Sequence, residues 1–314
     1  MALAKTLWDI EHLLVEATSE SVVVMGLSQV INDDKLKKAC TILWVEMDTK
    51  VEQKLVDQLP NLKIVVSPTT GLTHVDIDLL KSRKIELISL QGELEFLETI
   101  TSTSEFAWGL ILAIWRRLGL ALNESFQNRQ RLASSQLKDK TIGIIGMGRI
   151  GRRVSLYAKS FEMKIITYDP YIENSVLPES VKRVSTIEQL LSLSDIILIS
   201  ASVIQSDIDN YPLLGAEQFE YVKHGSVVVN VARGILLDEC AALGNLESGK
   251  IAGIGLDVSR SEDIFHLEDS CVDKLRALGQ QGFNVIITPH IGGASRDAYQ
   301  RVVEFMITKL NTLL

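Results

Sequence analysis

Basic residues are in short supply in this 314-residue chain: 32 lysines and arginines stand against 40 aspartates and glutamates, a formal charge of -8 at neutral pH. A general nucleic-acid binder draws its affinity from neutralising phosphates, so this balance predicts no nucleic-acid partner. Cysteine is scarcer still. Cys40, Cys240 and Cys271 form an odd, scattered set with no Cys-x-x-Cys pair. That pattern argues against a disulfide framework and a zinc cage, suits a reducing compartment, and leaves no metal site to expect. Long apolar runs are missing too. The longest, 106–115, is too short to span a bilayer and ends at Arg116 and Arg117. Lys5, Asp9 and Glu11 break any signal-peptide pattern at the start. These absences predict a cytoplasmic protein with no membrane partner. No internal repeat, low-complexity tract or disordered tail stands out.

What is present is a chain with 46% hydrophobic residues, long enough for two domains. Short β-branched runs at 21–25, 41–45, 62–66 and 85–89 read as strands. Residues 50–59 and 75–84 carry Leu, Val and Ile at helical spacing. Strand–helix alternation implies parallel strands with helices on both faces, and a first α/β domain ending near residue 100. An acidic, non-periodic stretch, 92–98, and a Thr/Ser cluster, 99–104, precede a helix running from Glu105 to about 122. That helix is apolar on more than one face, which predicts burial between domains or at a subunit contact. Alternation resumes after a polar connection at 123–140, with strand runs at 142–145, 163–168, 196–199, 227–229, 251–256 and 285–287. Thr186 and Gln189 fit a capping box, Asp238 opens a helix over 239–246, and 295–314 is amphipathic. Six strands make a complete dinucleotide-binding domain.

The second half is organised around Gly146-Met147-Gly148-Arg149-Ile150-Gly151, which follows the strand run 142–145 and opens a helical stretch. Gly146 permits a sharp turn and Gly148 lets backbone N–H groups approach a pyrophosphate. Gly151 lets the helix pack close to the sheet, with its positive end towards the phosphates. Asp169 ends the next strand, eighteen residues past Gly151, near the spacing for a carboxylate that binds a ribose 2′-OH. A carboxylate there would repel a 2′-phosphate, which favours NAD over NADP.

Three more stretches follow predicted strands, at the sheet edge where doubly wound folds bind ligands. They are Asn230-Val231-Ala232-Arg233-Gly234, Leu256-Asp257-Val258 with Glu262 beyond it, and Pro289-His290-Ile291-Gly292. Taken singly, Arg233 reads equally as a surface ion-pair residue, Asp257 as a helix cap, Glu262 as a solvated acid and His290 as a buried histidine. Taken in order with the glycine turn, the four motifs resemble the D-isomer-specific 2-hydroxyacid dehydrogenase family, whose members include phosphoglycerate dehydrogenases. The resemblance extends over nearly the whole chain.

It implies two doubly wound parallel-sheet domains. One is a flavodoxin-like substrate-binding domain, 1–101 completed by 289–314; the other is an inserted Rossmann NAD-binding domain, 102–288. It implies a homodimer, and an NAD-dependent enzyme interconverting a small D-2-hydroxy acid and its 2-oxo acid. His290 would be the acid/base, Glu262 its carboxylate partner, and Arg233 the planar cation on the substrate carboxylate. Asp257 would accept a hydrogen bond from the nicotinamide carboxamide. Gly146, Gly148, Arg149, Ile150, Gly151, Asp169, Val231, Ala232, Arg233, Asp257, His290 and Gly292 would line the cofactor. Thr70 and Gly71, in the stretch 69–76, match the family's substrate loop through their backbone N–H groups; His74 beside them reads as structural.

The chain also departs from the pattern. Ser67 stands where phosphoglycerate dehydrogenases carry an arginine for phosphate, and Asp263 where a proline usually follows the glutamate. Ser200-Ala201-Ser202 replaces a His-x-Pro, 259–282 is long, and the acids of 92–98 would repel an anionic substrate unless they point outward. Co-repressors of the C-terminal-binding type share the Arg/Glu/His set, so a non-catalytic NAD(H)-sensing interaction protein is the alternative. The lack of disordered tails argues against it.

Overall fold

The computed structural model describes all residues except 7, 18–21, 123, 204–210 and 264–270. Contacts divide the chain into two units, Met1–Ile100 with Ala294–Leu314, and Thr101–Gly293.

The first unit holds a parallel sheet of β1 (Ala2–Leu3), β2 (Met25–Gly26), β3 (Ile42–Trp44), β4 (Ile64–Ser67) and β5 (Glu86–Ser89). Its order, β2-β1-β3-β4-β5, is the flavodoxin-like winding. Every residue of β3 and β4 is buried, as expected of central parallel strands covered on both faces. The run at 21–25 contributes only Met25 to a strand, and Ser21 lies outside the described residues. β1 has two residues and gives no periodic signal.

One face of this sheet is covered by the last helix of the chain, Arg296–Asn311. Ala298, Val302, Val303, Met306, Ile307 and Leu310 repeat at helical spacing and share one core with Ile10, Leu14, Trp44 and Val66. That stripe is why the end of the chain belongs with its first hundred residues. Met306 is fully buried, so Met306→Ala is expected to destabilise this unit by about 2–5 kcal/mol. Urea unfolding followed by tryptophan fluorescence measures it; a loss below the error of the fit would contradict the packing.

The acidic stretch, predicted as irregular, contains a short helix, Leu94–Glu98. Tertiary packing supplies what periodicity lacked: Leu97 is buried and the Phe96 ring stacks on Phe305 at 4.0 Å. Glu95 and Glu98 are exposed and Glu93 pairs with Lys309, so the acids do face outward.

The second unit is a parallel sheet of β6 (Thr141–Ile145), β7 (Lys164–Tyr168), β8 (Val181–Arg183), β9 (Ile196–Ile199), β10 (Ser226–Asn230), β11 (Ile251–Leu256) and β12 (Val285–Ile287). The order β12-β11-β10-β9-β6-β7-β8 reverses direction between β6 and β9, the Rossmann switch point. β8 was not anticipated; it is a three-residue edge strand carrying Lys182 and Arg183.

The helix expected from Glu105 to about 122 is Ser102–Trp115, and Arg117, with φ of 54°, breaks it before a short turn at Leu118–Ala121. Its breadth of apolar surface has a local cause. Ala107, Leu110, Ile111 and Ile114 share a core with Ile142, Ile144, Val227 and Val229, while Trp108 meets Tyr157 and Phe161. The helix therefore covers its own unit's sheet. This unit also runs to Gly293, past the anticipated boundary at 288. The N–H groups of His290, Ile291 and Gly292 all donate to Asp257, which holds 290–292 to the sheet.

One expectation is overturned: Cys240 and Cys271 form a disulfide. They lie 31 residues apart, a separation with no local signature, and the fold brings the two helix starts together. Cys40 is a buried free thiol whose pKa is pushed up by burial. Among the described residues no helix is long and apolar enough to cross a membrane.

Candidate active site

The glycine turn lies at the switch point between β6 and the helix Arg149–Ser160. Its glycines do three different jobs. Gly146 has φ of +89°, and a Cβ there would lie 2.4 Å from the Ala201 backbone. A Cβ on Gly151 would lie 2.3 Å from the Gly146 carbonyl oxygen. Gly148 is exposed and nothing lies within 4 Å of where its Cβ would be, so the space over the turn is open. No side chain caps the helix that follows. An open backbone at an uncapped, positive helix end is what a pyrophosphate requires.

Asp169 closes one side of this turn. Its Oδ2 accepts the Met147 N–H at 2.8 Å and its Oδ1 accepts the Tyr171 N–H at 3.0 Å. Ser200, in the segment that replaces the family's His-x-Pro, donates to the Gly146 carbonyl oxygen at 2.8 Å. The replacement keeps the turn closed by a hydroxyl.

Beyond β10, Asn230 builds the turn that carries Arg233. Its fully buried amide accepts the Ala232 N–H at 3.0 Å and donates to the Arg233 carbonyl oxygen at 2.9 Å. Val231 and Ala232 are buried within this turn. The Arg233 guanidinium is half-buried and donates to the Ala232 carbonyl oxygen at 2.7 Å. Gly234 cannot carry a side chain, because its Cβ would lie 1.9 Å from the Ser259 backbone. The Arg233 turn is thus packed directly on the start of the Glu262 segment.

Glu262 lies on the short helix Arg260–Asp263. Its Oε1 accepts the Ser259 N–H at 3.0 Å and its Oε2 lies 2.6 Å from His290 Nδ1. A charge-assisted hydrogen bond of that length leaves Nε2 as the imidazole atom turned to other work. His290 has φ of 53°, and its N–H donates to the Asp257 carbonyl oxygen at 2.9 Å.

Asp257 holds the turn that carries His290. It is 1% exposed, and its carboxylate faces the 288–292 turn instead of open space. Oδ1 accepts Thr288 Oγ1 at 2.7 Å and the Ile291 N–H at 2.9 Å, while Oδ2 accepts the Gly292 N–H at 2.7 Å. Three protein donors use a carboxylate whose two oxygens can accept about four hydrogen bonds. A Cβ on Gly292 would lie 2.7 Å from Oδ2, so glycine is required there as well.

Two residues given no role in the sequence reading support the same constellation. Glu239, 2% exposed, accepts the Arg260 N–H at 2.8 Å and so anchors the Glu262 segment. Asn230 is the other; it was visible only as part of a motif. Glu239 has no local sequence signal, because its partner lies 21 residues on; the bonds of Asn230 are local, to residues 232 and 233. Part of the long segment 259–282, residues 264–270, lies outside the described residues. In the first unit Thr70 is exposed and Gly71 half-exposed, after the end of β4.

A Rossmann sheet with an open glycine turn, an arginine at one strand end and a clamped His–Glu pair at others defines an NAD-linked oxidoreductase domain by class. The chain belongs to the D-isomer-specific 2-hydroxyacid dehydrogenase family: the sequence model "D-isomer specific 2-hydroxyacid dehydrogenase, NAD binding domain" matches residues 108–292. A hydroxypyruvate reductase of Thermotoga maritima is 31% identical over 94% of this chain and 90% of its own length. A D-3-phosphoglycerate dehydrogenase of Archaeoglobus fulgidus is 32% identical over 82% of this chain, but the match spans only 46% of that relative. In fold, the chain is similar to the D-lactate dehydrogenase of Aquifex aeolicus solved with NAD and lactic acid, with a TM-score of 0.81 at 23% identity, covering 99% of this chain and 94% of that one.

Proposed function

We propose that the protein is an NAD-dependent oxidoreductase that interconverts a small D-2-hydroxy acid and its 2-oxo acid, with His290 as acid/base. The observation that carries the proposal is the 2.6 Å contact of His290 Nδ1 with Glu262 on a turn clamped by Asp257. A carboxylate on Nδ1 fixes the tautomer of the ring and stabilises its imidazolium form, which suits a group that carries and releases a proton at Nε2.

In the reducing direction, NADH held at the Gly146–Gly151 turn and Asp169 would supply hydride to the carbonyl carbon. His290 in its imidazolium form donates the Nε2 proton to the carbonyl oxygen, giving the hydroxyl. Glu262 holds Nδ1–H throughout, which stabilises the cation before transfer and fixes the ring afterwards. Arg233 offers a planar pair of donors to the substrate carboxylate and cannot lose its charge. Asp257 keeps the His290 backbone in place. In oxidation Nε2 takes the proton back. Asp169 beside the glycine turn supports NAD over NADP.

For the substrate we infer a small, unphosphorylated acid, because residues 67–74 contain no lysine or arginine to meet a phosphate. Following NADH absorbance with a panel of 2-oxo acids tests the whole reading. Turnover with at least one is expected; tight NADH binding without turnover on any would favour the non-catalytic sensor instead.

A homodimer is part of the proposal. Leu122 and Phe126 are 83% and 97% exposed just past the Ser102–Trp115 helix, an apolar pair suited to a second copy. Light scattering reporting a single-chain mass at micromolar concentration would remove it. A cytoplasmic location is proposed from the scarcity of cysteine, and the Cys240–Cys271 disulfide weighs against it. Alkylating free thiols at the moment of lysis decides: a disulfide found intact in cells would sink the cytoplasmic reading.

A further inference from the structure

Ser67 ends β4 with its side chain fully buried. Its Oγ lies 2.9 Å from Thr69 Oγ1 and 3.0 Å from Nε2 of buried His74. Thr69 Oγ1 donates in turn to the Gly71 carbonyl oxygen at 2.8 Å. Each hydroxyl has one proton, and that settles the direction of the chain. Thr69 spends its proton on Gly71, so it must accept from Ser67. Ser67 has then spent its own, so it must accept from His74 Nε2–H. The relay runs His74 to Ser67 to Thr69 to Gly71, in one sense only.

The relay ends on a turn with unused donors. No acceptor among the described residues bonds the N–H of Thr70 or of Gly71. The peptides around them are pinned from both sides. Leu90 N–H donates to the Thr69 carbonyl oxygen at 3.1 Å, and because C=O and N–H point oppositely in a trans peptide, this aims the Thr70 N–H away from β5. Thr69 Oγ1 holds the Gly71 carbonyl on the far side, so the peptide between the two pins has little freedom. His74 is itself anchored, its carbonyl oxygen accepting the Val51 N–H at 2.8 Å.

We propose that His74, acting through Ser67 and Thr69, is a positioning residue that holds the Thr70 and Gly71 N–H groups ready for a carboxylate of the substrate. This rests on the reading of the chain as a 2-oxo acid reductase and names the device that sets its substrate affinity. The relay acts on ground state and transition state alike, so its loss raises KM and leaves kcat nearly unchanged.

The test uses the full chain and Thr69→Val, an isosteric change at a half-exposed turn position that removes only the hydroxyl. KM for the preferred 2-oxo acid is expected to rise roughly tenfold, the effect of one mispositioned hydrogen bond, with kcat and NADH affinity within twofold of wild type. Thr69→Ser restores the hydroxyl and should restore KM. Unchanged KM in Thr69→Val, or an equal fall in kcat, overturns the proposal. A second arm does not depend on turnover. In ¹⁵N-labelled protein with NADH, oxamate should shift the Thr70 and Gly71 amide resonances, with an affinity roughly tenfold weaker in Thr69→Val. His74 Nε2 should also carry a proton. Equal affinities in the two proteins, or Thr70 and Gly71 amides that do not respond in wild type, overturn the relay. Absent turnover with the oxamate response intact would instead fault the proposed reaction and leave the relay standing.

Discussion

His290→Asn is expected to lower kcat by about 10²–10⁴-fold, the usual contribution of a general acid/base, while NADH affinity stays at the wild-type level. Asparagine is the right replacement because position 290 has φ of 53°, a left-handed conformation that Asn tolerates better than most residues. The Asp257 clamp uses the backbone of 290–292, so it survives the change. What disappears is the Nε2 proton. Glu262→Gln should have a smaller effect in the same direction, because Gln can still meet Nδ1 but no longer stabilises the imidazolium. Steady-state kinetics with NADH binding followed by fluorescence separates the two quantities. A His290→Asn enzyme with more than a tenth of wild-type kcat would remove His290 from the chemistry.

Arg233→Gln is expected to lower kcat/KM by about 10²–10⁴-fold, from the loss of two charge-assisted hydrogen bonds at about 1.5–3 kcal/mol each. Arg233→Lys should fall between, because lysine keeps the charge but not the planar pair of donors. The ordering Arg, Lys, Gln is the informative result. The turn itself should persist in both variants, since Asn230 shapes it through the backbone of residues 232 and 233 and not through the guanidinium. Wild-type activity in the Lys enzyme would show that the planar geometry is irrelevant at this position, and unchanged kcat/KM in the Gln enzyme would take Arg233 out of substrate binding.

The parts of this molecule that were legible in sequence are those dictated by local sterics or by long buried runs. Gly146, Gly148 and Gly151 announce the turn because each tolerates a contact or an opening that a side chain would spoil. The central strands of both sheets are continuous apolar runs, and the helix at the chain end shows its stripe plainly. His290, Glu262 and Arg233 were found through the order of motifs, and the structure brings His290 and Glu262 within 2.6 Å.

The rest depends on which partner a polar group selects, and that choice is tertiary. Asp257 takes a role in the sequence only through the family resemblance; its bonds to three donors of a turn more than thirty residues away are set by the fold. Glu239 sits in an ordinary helix start and reveals nothing until Arg260 is beside it. β1 and β8 are too short for period-2 alternation to emerge. An odd count of three scattered cysteines argues against the Cys240–Cys271 bond, but neither count nor spacing says where two helices begin in space.

The central claim is that the chain moves hydride between NAD(H) and the carbonyl carbon of a 2-oxo acid. The most direct measurement uses NADH carrying deuterium at both C4 positions of the nicotinamide with the best acid of the panel, followed by chiral mass spectrometry of the product. A D-2-hydroxy acid carrying the deuterium at C2, formed in step with NADH loss and abolished in His290→Asn, is the expected product. NADH that binds tightly yet transfers no deuterium to any 2-oxo acid would contradict it.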